Sequence, residues 1–129
     1  MNRGLALVCV VDDDDGVRDA MRNLLASGGY DTVAFAQAEA CLAFERLHDV
    51  QLALFDVRLP GMDGFALHAA LAARGFAVPV VFVSGHADAD ASMAQRALQA
   101  GAIALLQKPV DGDTLLCLVE RALGPGDVV

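Results

Sequence analysis

The sequence predicts an α/β fold in which five parallel strands form one sheet that is covered by helices on both faces. Two observations predict this fold. Apolar, strand-like runs alternate along the 129 residues with longer segments of 3.6-residue apolar period. Several of the strand runs are apolar throughout and do not alternate, as strands that are buried on both faces require. Right-handed crossovers between successive strands then give a (βα)5 three-layer sandwich.

The strand candidates are short apolar runs bounded by turn residues. They lie at residues 5–11, 31–36, 52–57, 78–84 and 102–107. The helix candidates between and after them lie at residues 15–27, 37–48, 64–74, 89–100 and 112–123. Asp14, Asp15 and Asp111 stand where N-caps and first-turn acids are expected, because a carboxylate there complements the positive end of a helix.

The apolar face of each helix is predicted from residues three and four apart. In the second helix this face comprises Ala40, Cys41, Phe44 and Leu47, and in the third it comprises Phe65, Leu67, His68 and Leu71. In the fourth helix it comprises Met93, Ala94, Ala97 and Leu98. The histidines His48 and His68 have no partner ligands nearby in the sequence, so we expect them at surface or half-buried positions.

Composition excludes several classes of function. The formal net charge is -8, from 17 acids against nine bases, and no Lys/Arg cluster occurs, so we expect no direct nucleic-acid binding by this chain. No apolar run approaches the ~20 residues that cross a bilayer, and we expect a cytoplasmic protein without a membrane segment. The three cysteines (Cys9, Cys41 and Cys117) are far apart in sequence and are expected to be free, buried thiols.

Polar residues stand where four of the five strands end. Asp12 and Asp13 follow the first strand, Asp56 ends the third, Ser84 ends the fourth, and Lys108 follows the fifth. Sites in parallel sheets form outside the carboxyl ends of the strands, so these groups should meet at one edge. Carboxylates that are brought together raise one another's pKa or require a cation, and the donor set suits Mg²⁺.

Five segments, read together, resemble one known family. They are VVDDD, FDVRLPGMDG, PVVFVSGHAD, AGA and LQKPV, and in this order and spacing they resemble the receiver domain of two-component response regulators. The resemblance covers residues 5–123 and implies a flavodoxin-like sheet of order 2-1-3-4-5. We expect a receiver domain at residues 1–123 and a tail or linker start at residues 124–129. The motif style most resembles receivers joined to helix-turn-helix transcriptional regulators, and the chain is either a stand-alone receiver or part of a longer regulator.

The resemblance implies a role for each strand-end residue. Asp56 is the phosphoacceptor for a sensor histidine kinase or phosphotransfer protein, and Ser84 and Lys108 contact the phosphoryl group. Asp13, Asp56 and the backbone carbonyl of Arg58 are Mg²⁺ ligands, with Asp12 holding the ion through water. In the family the peptide bond that follows the lysine, here to Pro109, is usually cis.

Further expectations concern regulation. The resemblance places the side chains of Arg58 and His86 where they tune hydrolysis of the acyl phosphate. Leu105 replaces the aromatic residue whose ring takes part in the switch of many receivers, so the switch is expected to run through Ser84 and residues 84–92. A partner or homodimer surface is expected on the fourth helix, strand 5 and the fifth helix.

Two other functions compete with the phosphoacceptor. One is a metal-dependent phosphatase with an aspartyl nucleophile, which would carry a second acid two residues after the nucleophile, where this chain has Arg58. The other is a degenerate receiver that serves only for docking, against which the intact set of strand-end residues argues. The sequence therefore favours a signalling phosphoacceptor over a turnover enzyme.

Overall fold

The computed structural model describes residues 5–85 and 91–124. Its strands are β1 (Leu7–Val11), β2 (Asp31–Phe35), β3 (Val50–Asp56), β4 (Val80–Ser84) and β5 (Ala104–Gln107). Its α-helices are α1 (Asp15–Ser27), α2 (Ala38–Leu42), α3 (Gly64–Ala72), α4 (Ala91–Gln99) and α5 (Gly112–Leu123). A short 3-10 helix, Leu47–Asp49, precedes β3.

The five strands form a single parallel sheet of order β2-β1-β3-β4-β5. This arrangement confirms the predicted flavodoxin-like topology. The order reverses between β1 and β3, which are neighbours in the sheet although β2 separates them in sequence. The carboxyl ends of β1 and β3 therefore lie side by side, at the place where parallel sheets build their sites.

Two apolar layers cover the sheet, one on each face. On one face, residues of α2, α3 and α4 pack against the odd-numbered residues of β1. The core on this face includes Cys41, Phe65, Leu71 and Ala97. On the other face α1 and α5 contribute Met21, Leu25, Leu115 and Val119. Burial of each large apolar side chain stabilises the fold by roughly 1.5–3 kcal/mol. Within the described ranges, no helix is both long enough and apolar enough to cross a bilayer.

In the part of the chain that the structure describes, aspartate N-caps begin three of the helices. The side chains of Asp14, Asp63 and Asp111 each accept a hydrogen bond from a backbone N–H three residues later. These bonds satisfy donors that a helix start otherwise leaves without a partner. The predicted bounds of α1 and α5 and their predicted aspartate caps are confirmed.

The second helix is shorter than predicted. The expected helix at 37–48 is wrong: α2 ends at Leu42, whose carbonyl accepts a hydrogen bond of 2.7 Å from Arg74 Nη1. Phe44 then packs edge-on against Phe35 of the edge strand β2, with ring centroids 5.4 Å apart. Ala40 is exposed, and the buried face of α2 comprises Ala38 and Cys41 instead.

The predicted apolar face of the fourth helix is also partly wrong. Ala97 is buried and Met93 packs against the core, but Ala94 is exposed and Leu98 is 71% exposed. The reason is geometric, because α4 contacts the sheet along a narrow seam through positions 93 and 97. Positions 94 and 98 lie about 100° further around the helix, on its solvent side.

Candidate functional site

Three carboxylates meet at the carboxyl end of the sheet. Asp12 follows β1 and Asp56 ends β3, and both are buried, with 1% and 5% of their surfaces exposed. Asp13 is exposed beside them. One oxygen from each of the three carboxylates lies within 4.8 Å of the others. The structure therefore brings together the three acids that the sequence predicts.

Lys108 bridges the two buried acids. Its Nζ lies 2.9 Å from Asp12 Oδ2 and 2.9 Å from Asp56 Oδ2. The backbone N–H of Lys108 donates to the carbonyl of Ser84 at 2.8 Å, which fixes the end of β5 against the end of β4. The bond to Pro109 is cis, as the resemblance implies. The single lysine of the chain thus places its charge between two carboxylates from different strands.

Backbone groups fix the orientation of both buried acids. Asp56 Oδ1 accepts a hydrogen bond from the N–H of Arg58 at 3.1 Å, and Asp12 Oδ1 accepts one from the N–H of Asp14 at 2.9 Å. Arg18 Nη1 donates to the backbone carbonyl of Asp12 at 2.6 Å. Arg18 was not predicted as part of the site, although a residue one turn into α1 lies close enough to the end of β1 to contact it.

The charges in this cluster are unevenly balanced. Burial raises the pKa of Asp56, hydrogen bonding to Lys108 opposes that rise, and the neighbouring charge of Asp12 adds to it. Burial disfavours the charged form of Lys108, but the hydrogen bonding and charge pairing of its ammonium with Asp12 and Asp56 outweigh burial and raise the lysine pKa. One ammonium therefore does not fully compensate the carboxylates that converge here.

The hydroxyl and switch residues lie on neighbouring strands. Ser84 ends β4 at the same edge, is 1% exposed, and donates its hydroxyl to the Gly85 carbonyl at 3.3 Å. Leu105 is half-buried on β5 and lies opposite Phe82 of β4 in the sheet register. His86 lies outside the described residues, as does most of the predicted switch loop.

A glycine that the sequence reasoning did not single out keeps the site compact. Gly64, the first residue of α3, donates its N–H to the Val57 carbonyl at 2.8 Å. A Cβ at this position would lie 2.3 Å from the backbone oxygen of Asp56 and 3.0 Å from its carbonyl carbon. Only glycine allows the start of α3 to approach the end of β3 so closely. The quoted motif FDVRLPGMDG contained this signal.

The donor set fits a magnesium ion. Mg²⁺ prefers one or two carboxylates, carbonyl oxygens and retained water, which are the groups that Asp12, Asp13, Asp56 and the nearby backbone offer. Asp13 is exposed and so leaves room for water ligands on its side of the cluster. A divalent cation would also compensate the negative charge that Lys108 alone does not balance.

Comparison with known proteins identifies the family of this chain. The model of the response regulator receiver domain family matches residues 8–120. The tetrathionate response regulatory protein TtrR of Salmonella typhimurium is 39% identical over 119 residues, which are 92% of this chain and 57% of that protein. The transcriptional regulator NtrC of Escherichia coli is 37% identical over 123 residues, which are 95% of this chain and 25% of that protein.

A solved structure agrees as well. The CheY-like receiver domain protein of Methanospirillum hungatei superposes on this chain with a TM-score of 0.80 at 30% sequence identity. The superposition covers 91% of this chain and 92% of the Methanospirillum chain. The chain spans about half, or less, of the length of the two curated relatives. The family match covers most of the chain, and the fold agrees with it. The chain belongs to the receiver domain family of two-component response regulators.

Proposed function

We propose that this chain accepts a phosphoryl group on Asp56 from a histidine kinase or a phosphotransfer protein, and that Mg²⁺ is required. The observation that carries the proposal is the position of Lys108 Nζ, 2.9 Å from both Asp12 and Asp56 within a three-carboxylate cluster. Relatives in this family are response regulators. We assign the metal to Asp13, Asp56 and the Arg58 carbonyl, with Asp12 holding it through water.

The chemistry follows from what phosphoryl transfer needs. The reaction requires an in-line nucleophile and positive charge on the transferred oxygens. The Asp56 carboxylate is held by the Arg58 N–H and by Lys108, so it is oriented before the donor arrives. Bound Mg²⁺ would supply positive charge to the phosphoryl oxygens. Lys108 would then exchange one carboxylate contact for a phosphoryl oxygen, and Ser84 would turn its hydroxyl toward the same group.

Acetyl phosphate with Mg²⁺ tests the proposal without the cognate kinase. Intact-mass analysis should find one added phosphoryl group on the wild-type chain and none on Asp56→Asn. A degenerate receiver would remain unmodified and would not bind beryllofluoride. A phosphatase would instead release phosphate from a phosphomonoester with many turnovers, which Arg58 in place of a second acid argues against. We therefore class the chain as a signalling phosphoacceptor.

A groove beside Lys108 suits the docking of the donor protein. A phosphohistidine must reach Asp56 in line, so its protein must contact this edge of the sheet. The groove has a volume of about 340 Å³ and is mainly apolar. It is lined by α1 and by the segment after β5, including Val17, Met21, Leu24, Pro109 and Val110. An apolar helix face of the donor would fit such a surface.

We also propose that phosphorylation acts on α4 through the rings beneath it. Phe82, two residues before Ser84, packs on Phe65 of α3 with ring centroids 4.4 Å apart. The Arg96 guanidinium of α4 lies 4.3 Å from the Phe65 centroid, and its Nη2 lies 3.6 Å from the Asp63 carboxylate. Movement at the end of β4 therefore has a packed route to α4 that does not need an aromatic side chain at position 105.

Hydrogen exchange with and without beryllofluoride and Mg²⁺ tests this route. Protection should change over residues 84–99 in the wild-type chain, and the change at α4 should shrink in Arg96→Ala. Arg22→Ala, an exposed arginine on α1, is the matched control and should behave as the wild type. A change confined to Leu105 and α5 would contradict the route.

We propose a homodimer or partner surface on α4, β5 and α5. The two large apolar side chains that are exposed in the described part of the chain are Leu98 (71%) and Ile103 (44%), and both flank the edge strand β5. A second copy would cover both side chains. Light scattering should then detect a larger dimer fraction with beryllofluoride than without it, and Leu98→Glu should abolish the difference.

The remaining assignments follow from the same proposal. We place the receiver domain at residues 1–123 and a tail or linker start at 124–129. We place the chain in the cytoplasm, where histidine kinases obtain ATP. Any nucleic-acid binding would belong to an output domain, because the net charge of -8 disfavours binding by this chain. NtrC, which is a longer, DNA-binding transcriptional regulator, supports an output role in transcription.

A further inference from the structure

Two thiols lie in contact inside the core, away from the acidic site. Cys9 on β1 and Cys41 on α2 are both fully buried, and their Sγ atoms are 3.8 Å apart. They are 32 residues apart in sequence, so the fold alone brings them together. Thiols that meet in this way share a weak S–H···S hydrogen bond, and each sulfur is already in van der Waals contact with the other.

We infer that Cys9 and Cys41 form an oxidisable pair that a hydroperoxide converts into an intramolecular disulfide between β1 and α2. A disulfide needs an S–S distance of about 2.05 Å, so the sulfurs must approach by less than 2 Å from their positions here. Disulfide formation requires a rotation of one side chain together with a small shift of α2. The inference does not depend on the proposed phosphorylation, because none of the site residues takes part.

The surroundings of the pair assign different roles to the two sulfurs. Hydrogen bonding with Cys9 lowers the pKa of Cys41, burial opposes the effect, and the nearby positive charge of Arg74 assists it. Hydrogen bonding and burial raise the pKa of Cys9 well above its usual range. The position of Cys41 beside the Arg74 guanidinium, whose Nη1 donates to the adjacent Leu42 carbonyl at 2.7 Å, makes it the attacking thiolate, and Cys9 is the thiol that resolves the intermediate.

The oxidation balances in two steps. The Cys41 sulfur attacks the hydroperoxide, the O–O bond breaks, and the leaving oxygen takes a proton to become water or an alcohol, which leaves a sulfenic acid on Cys41. The Cys9 sulfur then attacks the Cys41 sulfur and the S–O bond breaks. The released hydroxide takes the proton of Cys9 as water, so two thiols are oxidised by two electrons and one hydroperoxide is reduced.

Access to the buried pair comes through α2. This helix has five residues and lacks a side-chain N-cap hydrogen bond, and turns and a 3-10 helix follow it. Short elements with few stabilising contacts open locally far more often than the whole domain unfolds. β1, in contrast, is held by strands on both sides. Opening of α2 exposes Cys41 first, which agrees with its role as the attacking thiolate.

Mass spectrometry of the folded chain tests the inference. The third cysteine, Cys117, is exposed, so its expected burial is wrong; it would form intermolecular bonds, and Cys117→Ser is therefore the parent variant. Treatment with hydrogen peroxide should yield a monomer that is lighter by two hydrogen atoms, and dithiothreitol should reverse the change. A non-reducing tryptic digest should contain peptide 4–18 joined to peptide 23–46. Cys41→Ser in the same parent is the control and should yield no linked peptide.

Hydrogen exchange over α2 is a second measurement, and it would not change if the two cysteines had only a packing role. Oxidation should slow exchange over α2, since the bond removes its local opening. The inference is overturned if both thiols stay reduced in the folded parent while wild-type Cys117 reacts under the same conditions. It is equally overturned if the linked peptides form only after the chain has been unfolded in urea.

Discussion

Replacing Gly64 with alanine tests the close contact between α3 and the end of β3. The added Cβ would lie 2.3 Å from the Asp56 backbone oxygen and 3.2 Å from Val57 Cα, and both neighbours are main-chain atoms that cannot rotate away. Overpacking of this kind costs about 1–3 kcal/mol, whereas exchanging glycine for alanine in a helix returns about 0.5–1 kcal/mol. Because the Cβ would lie only 2.3 Å from a main-chain oxygen, the overpacking cost lies at the upper end of its range, and we expect a net loss of about 2 kcal/mol, which lowers the Tm of a domain of this size by roughly 8 °C.

Gly112→Ala is the matched control for this substitution. Gly112 is likewise the first residue of its helix, but a Cβ there would meet Leu24 Cδ1 at 3.2 Å, the end of a flexible side chain. Differential scanning calorimetry should find the control within about 1 kcal/mol of the wild type. Phosphorylation by acetyl phosphate should also slow in Gly64→Ala, because the clash displaces Asp56. Equal Tm values for the two variants would refute the packing argument.

Three further predictions concern the metal, the pH dependence and the lifetime of the phosphoryl group. Mg²⁺ should stabilise the fold and raise its Tm, with a gain in the free energy of unfolding of about 2.7 kcal/mol when its concentration is 100 times its Kd. Asp13→Asn should lose most of that gain. An unchanged Tm in the wild type would contradict the metal site. Burial lowers the pKa of His68 in the folded chain, so the protein should be fully stable above the usual histidine pKa and lose stability as the pH falls below that value. The urea midpoints at about pH 7.5 and about pH 5.5 should therefore differ more in the wild type than in His68→Gln. Equal differences in the two proteins would contradict this assignment. Arg58→Ala and His86→Ala should each change the half-life of the phosphorylated chain several-fold without preventing phosphorylation, and unchanged half-lives would exclude a tuning role.

The sequence predicted most of the fold because hydrophobic periodicity and cap residues agreed with each other. The N-caps Asp14 and Asp111 lay where α1 and α5 begin, and continuous apolar runs marked the doubly covered strands. The α2 boundary was missed because Phe44 and Leu47 continue a helical apolar period. Apolar periodicity alone does not show that the helix has already ended at Leu42 and that Phe44 packs on Phe35 of the edge strand β2.

The acid cluster could be predicted because topology alone brings strand ends together. The strand order alone places Asp12, Asp56 and Lys108 at one edge of the sheet, without knowledge of any side-chain conformation. The contact between Cys9 and Cys41 could not be predicted, because it depends on how α2 sits on β1. The same limit applies to Arg96, whose contact with Phe65 depends on the rotation of α4 about its axis.

The phosphorylated residue itself is the central claim, and reductive trapping locates it directly. Borohydride reduces an acyl phosphate to an alcohol, so a phosphorylated aspartate becomes homoserine while unmodified carboxylates are left intact. After treatment with acetyl phosphate and Mg²⁺, peptide sequencing by mass spectrometry should find homoserine at position 56 and aspartate at positions 12 and 13. Homoserine at position 12 or 13, or at no position in a chain that has gained a phosphoryl group, would contradict the account.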